Sequence, residues 1–119
     1  VSSNQIVYRA PILDNTGSLG ALEIVFDWSA YTNREASAFC MTLNESGDLF
    51  IGSNWEIQPL TIVQNGVASG FYNSILSEPI NYMAWGNERY LYALSRGEDS
   101  RKILRMDTRM MGSEYYGRP

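Results

Sequence analysis

Two apolar runs near the start of the chain are separated by a short polar cluster, Asp-Asn-Thr-Gly-Ser at residues 14–18. Asn and Gly tolerate the positive φ angle that a tight strand reversal needs. The pattern therefore predicts a hairpin with strands over residues 5–13 and 19–27. The acid at the end of the second strand, Asp27, is suited to cap a short helix over residues 28–37.

Apolar runs and turn residues continue to alternate along the rest of the chain. Further strands are predicted at residues 38–44, 49–53, 80–85 and 89–95, with turns at 45–48, 64–66 and 86–88. A short helix is expected over residues 70–76, before a proline. Residues 103–111 fit either an edge strand or a helix, because their apolar positions follow neither period. Strand pairs joined by short helices predict an α+β domain with an antiparallel sheet, and no repeat of fixed period is apparent.

Size and composition are those of one globular domain. The chain has 119 residues, of which 45% are hydrophobic, and this is enough for a core. No stretch of about 18 apolar residues occurs, so no membrane-spanning helix is predicted. The single cysteine, Cys40, lies in an apolar run and is expected to act as a small buried hydrophobe.

Several catalytic chemistries are excluded because the residue types that they need are absent or too far apart. The chain contains no histidine, which rules out a Ser-His-Asp triad, a Cys-His pair and His-based metal sites. Glu23 and Asp27 lie four positions apart on one predicted strand, about 13 Å from each other, which is too far for paired acid–base carboxylates. We therefore expect no enzyme, no cofactor and no metal site.

Charge is unevenly distributed along the chain, whose net charge is −4. Residues 1–88 carry two basic and nine acidic side chains, whereas residues 89–119 carry seven basic and four acidic ones. A broad basic footprint is missing, so no nucleic-acid partner is expected. The basic end is either a solvated, ion-paired segment or a local surface for an anion or a protein partner.

Aromatic residues and arginines lie close together on the predicted strands. Such groups can enclose a small organic ligand or a carboxylate. We place Tyr82, Trp85, Arg89 and Tyr92 near one cavity, with Tyr8 and Glu23 on the neighbouring hairpin. Two alternatives stay open: the aromatics simply cover the sheet, and Glu23 sits in a salt bridge or on an exposed face.

Several segments resemble parts of Cache-type sensor modules. Residues 10–28 resemble the closing hairpin of such a module, with an apolar-Pro-apolar strand, an Asp and Gly turn, and a second strand that ends at an Asp. Residues 38–53 are similar to the Cache strand pair that is joined through Asn-x-x-Gly. The Phe-Asp-Trp ending at residues 26–28 and the strand at residues 89–97 are similar to segments of bacterial methyl-accepting chemotaxis proteins.

The resemblance implies a PAS-like (Cache- or GAF-like) antiparallel sheet flanked by short helices. Residues 1–119 would then form a single sensor domain that is part of a longer receptor. The long N-terminal helix typical of Cache modules is missing from these residues. The Asp, Arg and Tyr set with which amino-acid-binding Cache receptors hold their ligand is not matched in spacing. No ligand identity is therefore implied.

The function implied by the resemblance is ligand sensing in a bacterial chemotaxis receptor or a related signal-transduction protein. The domain would bind a small molecule and relay a conformational signal to a signalling domain of the same polypeptide. It would be a soluble module of a membrane-associated receptor, with a place outside the cytoplasm favoured over one inside. The alternative is a PAS-like interaction or dimerisation module without a small ligand, and a homodimer is compatible with both.

Overall fold

The computed structural model describes residues 5–31, 35–72, 75–98 and 100–113, which form three antiparallel β-sheets. The strands are β1 (Ile6–Arg9), β2 (Glu23–Asp27), β3 (Ala38–Leu43), β4 (Leu49–Ser53), β5 (Leu60–Gln64), β6 (Val67–Gly70), β7 (Ile80–Trp85), β8 (Tyr90–Arg96) and β9 (Arg101–Asp107). The first sheet contains β1 and β2, the second β3 to β6, and the third β7 to β9, each in chain order. Within the described ranges, no helix has the length and apolar character needed to span a membrane.

The turns form where the polar clusters predicted them. Gly17 and Gly47 have φ angles of 86° and 83°, and Asn65 and Gly66 form the two-residue turn between β5 and β6 with φ angles of 49° and 77°. The first hairpin is confirmed, but its paired strands are shorter than predicted. Residues 10–22, here called the arm, extend beyond β1 and β2 and contain one isolated strand bridge.

The predicted α+β fold with flanking helices is wrong, because the described residues contain no α-helix. Asp27 does act as a cap, and its side chain accepts a hydrogen bond from the Ser29 backbone N–H at 2.9 Å. However, it begins only the 3₁₀ turn Trp28–Ala30, and residues 32–34 of the predicted helix lie outside the described residues. Trp28 is completely buried and packs edge-on against Phe26. Burial of this indole holds the 3₁₀ turn against the hydrophobic core.

The described part of the second predicted helix, residues 70–72 and 75–76, is not helical, and residues 73–74 lie outside the described residues. The Phe71 ring packs edge-on against Phe50, with 5.5 Å between the ring centroids. Tyr72 has a φ angle of 55°, which a regular helix does not allow, and its hydroxyl donates to the Asp107 carbonyl oxygen at 2.7 Å. These tertiary contacts outweigh the weak helical pattern.

The second and third sheets repeat the same strand register at an offset of 42 residues. Ala38 pairs with Ser53, and Ile80 pairs with Ser95, in both cases next to a bulge. Each later pair between β3 and β4 has a counterpart 42 positions further on between β7 and β8, and β5 corresponds to β9 at an offset of 43. The repeat is not apparent in the sequence, because only three of the ten paired positions of β3 and β4 carry the same residue in β7 and β8.

Each pair of neighbouring sheets encloses one hydrophobic core. The first core, between sheets one and two, contains Val7, Phe26, Trp28, Ala36, Ile51 and Val63. The second, between sheets two and three, contains Phe50, Leu60, Ile62, Leu76, Ile80, Trp85, Leu91, Ala93 and Met106. Phe50 and Ile51 are adjacent on β4 and point to opposite faces, so the second sheet is covered on both sides. The sheets stack in chain order, and the first strands of sheets two and three, β3 and β7, are in contact.

Candidate functional site

Four of the predicted ligand-binding residues lie on or beside the third sheet, but they do not share a cavity. Trp85 is buried in the second core. Tyr82 and Tyr92 lie on the opposite face of the sheet and are exposed to solvent. Arg89 lies in the turn before β8, where its Nε forms an ion pair with Asp107 Oδ1 at 2.9 Å. The structure therefore brings Tyr82 and Tyr92 to one surface and places Trp85 behind it.

The other two predicted residues, Tyr8 and Glu23, lie on the first sheet. Arg9 Nε forms an ion pair with Glu23 Oε2 at 2.8 Å, and both side chains are largely exposed. Of the two roles left open for Glu23, the geometry is that of an exposed salt bridge, which contributes about 0–1 kcal/mol to stability. Tyr8 is half-exposed and lines an open groove beside β1.

The solvent-facing side of the third sheet, here called the outer face, combines aromatic, aliphatic and basic side chains. Its members are Tyr82, Ala84, Tyr90, Tyr92, Leu94, Arg96, Arg101, Ile103 and Arg105. The Arg105 guanidinium lies 5.0 Å from the centroid of the Tyr90 ring, which is a cation–π distance. Ile103 is 78% exposed. Tyrosine and arginine are the residue types that dominate protein-binding hot spots.

The outer face is the repeat equivalent of a face that is covered. Tyr92 corresponds to Phe50, 42 positions earlier, and Ile103 corresponds to Leu60. Phe50 is 0% exposed because the third sheet packs over it, with the Trp85 ring 5.4 Å away. Tyr92 is 40% exposed. The difference between the two positions comes from the neighbouring sheet and not from the strands that carry them.

The groove beside β1 is a second concave surface, with a volume of about 590 Å³. The apolar and aromatic part of its lining consists of Val7, Tyr8, Val25, Met41, Leu43 and Leu49. Met41 and Leu43 belong to β3 and are 52% and 45% exposed. The groove therefore has an apolar floor on the second sheet and one wall formed by β1.

A polar cluster around Glu78 fixes the entry to β7. Ser100 Oγ donates to both carboxylate oxygens of Glu78, at 2.8 and 2.9 Å, and Lys102 Nζ lies 3.1 Å from Oε1. These hydrogen bonds and the Lys102 charge lower the pKa of Glu78 below its ordinary value. Both oxygens of the Glu78 carboxylate are bound by Ser100 or Lys102. The carboxylate therefore connects the segment before β7 to β9, which is a structural role.

The residues of β9 that contribute to the outer face were not predicted from the sequence. Over residues 103–111 as a whole, the apolar positions follow neither the strand nor the helix period. Over residues 103–106 alone, Ile103 and Arg105 are exposed, whereas Leu104 and Met106 are partly or fully buried. That alternation was the available signal for a strand.

Comparisons with known proteins indicate no function for this chain, so the outer face and the groove beside β1 are the features that bear on it. No family model matches the chain, and no curated protein or solved structure is significantly similar to it. The described residues also hold no cluster of three or more acidic or cysteine side chains that could bind a metal ion. The Cache resemblance therefore stays a prediction, and the PAS-like fold that it implied is replaced by three stacked sheets.

Proposed function

We propose that this chain is a protein-binding scaffold built from stacked, repeating β-sheets, and that its outer face is a binding surface. Small antiparallel sheets that follow one another along the chain and pack face to face occur as the blades of β-propellers. The second and third sheets have a common register, and their first strands are in contact. We therefore assign sheets two and three as successive blades and the two-stranded first sheet as the outer half of another.

The observation that carries the proposal is the exposure of Tyr92 at a position where its equivalent, Phe50, is fully covered. In repeat proteins each unit buries its apolar face against the next one. A sheet face that carries Tyr82, Leu94 and Ile103 is thus suited to a further sheet of the same kind. An exposed apolar patch of this type is characteristic of an interaction surface.

Charge indicates which partner suits the outer face. Arg89 and Lys102 have carboxylate partners within the chain, at Asp107 and Glu78. Arg96 and Arg101 have no ion pair within the described ranges, and they lie at one end of the outer face. A partner sheet with carboxylates at that end and large apolar side chains over the tyrosines would be complementary. Of the two roles left open for the basic end of the chain, this arrangement favours docking of a protein partner.

Association of the purified chain with itself tests the proposal, because its residues 1–88 supply an excess of acidic side chains. We expect sedimentation velocity to show association that increases with protein concentration and weakens at high salt. Ile103→Glu should abolish it by placing a charge in the outer face. Ile57→Glu changes an isoleucine that is 66% exposed in the turn before β5, and it should associate like the parent chain. A chain that stays monomeric throughout, or two variants that behave alike, would contradict the proposal.

Ligand sensing is a second proposal, supported by the groove beside Tyr8. Its volume of about 590 Å³ lies within the range of small-molecule sites. A metabolite screen by thermal shift tests it, since a ligand that binds the folded state raises the melting temperature. If no compound raises the melting temperature while protein concentration does, the scaffold function is favoured over sensing.

A further inference from the structure

We infer that the groove beside β1 is a strand-addition site, which accepts a β-hairpin that completes the first sheet. Within the described residues, β1 pairs with β2 along one edge, and no strand pairs with its other edge. An unpaired strand edge presents backbone N–H and C=O groups that can bind an incoming strand. Val7, Tyr8 and Arg9 of β1 line the groove, and we therefore place the free edge of β1 at its wall. The inference rests on the stacked-sheet arrangement proposed above, but it concerns a different surface.

The repeat identifies what should cover the floor of the groove. Met83 and Trp85 on β7 pack into the second core, where β3 and β4 cover them. Their equivalents 42 positions earlier are Met41 and Leu43, whose side chains are about half exposed. Within the described ranges, the two positions therefore lack a strand pair like the one that covers their counterparts. A hairpin equivalent to β3 and β4 would supply it.

The connections between sheets place this hairpin next to β1. β6 is the last strand of its sheet and leads to β7, the first strand of the next sheet. β2 leads to β3 in the same manner, so β2 corresponds to β6 and its partner β1 corresponds to β5. The strand that pairs with the other edge of β5 is β4. The site beside β1 is thus the place of a β4-type strand, followed by a β3-type strand.

The floor of the groove continues an interface that already exists. Val25 and Leu49 pack against the first core, between sheets one and two, and they also line the groove. Val7 is a buried member of that core and lines the groove as well. A hairpin in the groove would therefore extend a formed apolar contact, so little rearrangement of the protein is needed.

The site is suited to a hairpin rather than to a complete sheet. In the third sheet, β8 is flanked by β7 and β9. If this sheet were placed over the groove in the repeat geometry, β9 would occupy the position of β1. The occupant is therefore a two-stranded antiparallel segment with alternating side chains, large and apolar on the face that meets Met41 and Leu43.

A synthetic peptide with the sequence of residues 80–96 is the probe, because it carries the β7 and β8 pattern without β9. We expect the fluorescently labelled peptide to bind the purified chain saturably. Met41→Glu should weaken binding by about tenfold or more, since it places a charge on the apolar floor. Ile57→Glu, which lies away from the groove lining, should bind the peptide like the parent protein. Circular dichroism should show that both variants retain the strand content of the parent.

Strand pairing is tested separately from apolar contact. A peptide with Leu91→Pro lacks one backbone N–H and should lose binding. Hydrogen exchange of the segment Ile6–Arg9 should slow in the complex, because added backbone hydrogen bonds protect its amides. The Ile103→Glu variant should bind the peptide normally, so failure of the outer face and failure of the groove are distinguishable.

Three results would overturn the inference. The first is the absence of saturable binding, and the second is equal binding by the parent chain and the Met41→Glu variant. The third is binding that Ile103→Glu removes, since the peptide would then occupy the outer face.

Discussion

Cys40 illustrates how the surroundings of one side chain decide its chemistry. The thiol is half-buried against the second core, and Sγ lies 3.6 Å from the Ile80 carbonyl oxygen, to which it donates. Burial raises the pKa of Cys40 to about 11. The apolar sequence around it predicted a small hydrophobe, and its packing agrees with that. Its carbonyl partner, 40 residues away, is a tertiary contact that the local sequence does not specify.

Alkylation of the folded chain measures this environment. An unfolded cysteine has a pKa of about 8.5, so burial leaves the folded thiol protonated at pH values where the unfolded one is already a thiolate. We expect the folded chain to react slowly with iodoacetamide at mildly alkaline pH and the denatured chain to react quickly. The favourable contribution of the neutral thiol to stability is present below about pH 8.5 and is lost as the pH rises towards the folded value. Equal labelling rates for folded and denatured protein would contradict the raised pKa.

At the scale of elements, local sequence determines the turns better than the strand lengths. Asn65 and Gly66 join β5 to β6 in two residues, and the closing pair is Gln64 with Val67. The equivalent strands β1 and β2 close on Arg9 with Glu23, and the arm lies between them. The arm carries exposed Ile12, Leu13, Leu19 and Leu22. Its apolar pattern resembles that of a strand pair inside a core, yet no described part of the protein covers it.

Replacement of residues 10–22 by Asn-Gly tests whether the arm stabilises the fold. Because its apolar side chains are exposed, we expect the unfolding free energy in urea to change by less than about 1 kcal/mol, or to rise slightly as the loop shortens. Substitution of Asn65 and Gly66 by alanine is the contrasting variant, and it should destabilise, because both residues have positive φ angles. A loss of more than about 2 kcal/mol on removal of the arm would mean that its side chains pack against the body.

At the scale of the whole molecule, stacking decides which equivalent residues are buried. Phe50 contacts the Phe71 and Trp85 rings between sheets two and three, whereas Tyr92 occupies the same register position on the outer face. The position of a residue within its strand therefore does not determine whether it is buried, because burial depends on whether another sheet packs over that face.

Truncation of the two aromatic residues measures that difference. We expect Phe50→Ala to cost about 3–5 kcal/mol in urea denaturation, because it leaves a cavity in the second core. Tyr92→Ala should cost less than about 1 kcal/mol in the dilute chain, since none of the three described sheets covers it. Under conditions in which the chain associates, Tyr92→Ala should weaken association. Similar losses of stability for both variants in dilute solution would contradict the stacking order.

The candidate site was predictable only in part. Tyr82 and Tyr92 were identified from the aromatic and arginine pattern, and they do share one surface. Trp85 was grouped with them, but it follows Tyr82 by an odd number of positions and points to the other side of the sheet. Met41 and Leu43 resemble core residues in sequence. They are exposed because the two described strands of the first sheet, β1 and β2, do not extend over them.

The sequence by itself determined the positions of the turns and most strands, because φ preferences and side-chain alternation act over a few residues. It also excluded histidine-based chemistry. Only the tertiary structure decided that the described parts of the segments after β2 and β6 are not α-helical, since buried Trp28 and anchored Tyr72 hold them in other conformations. The tertiary structure also established that sheets two and three share one strand register, and which faces of the described sheets are exposed. Register and stacking arise from contacts between residues far apart in the chain, and side chains of different type can occupy equivalent positions.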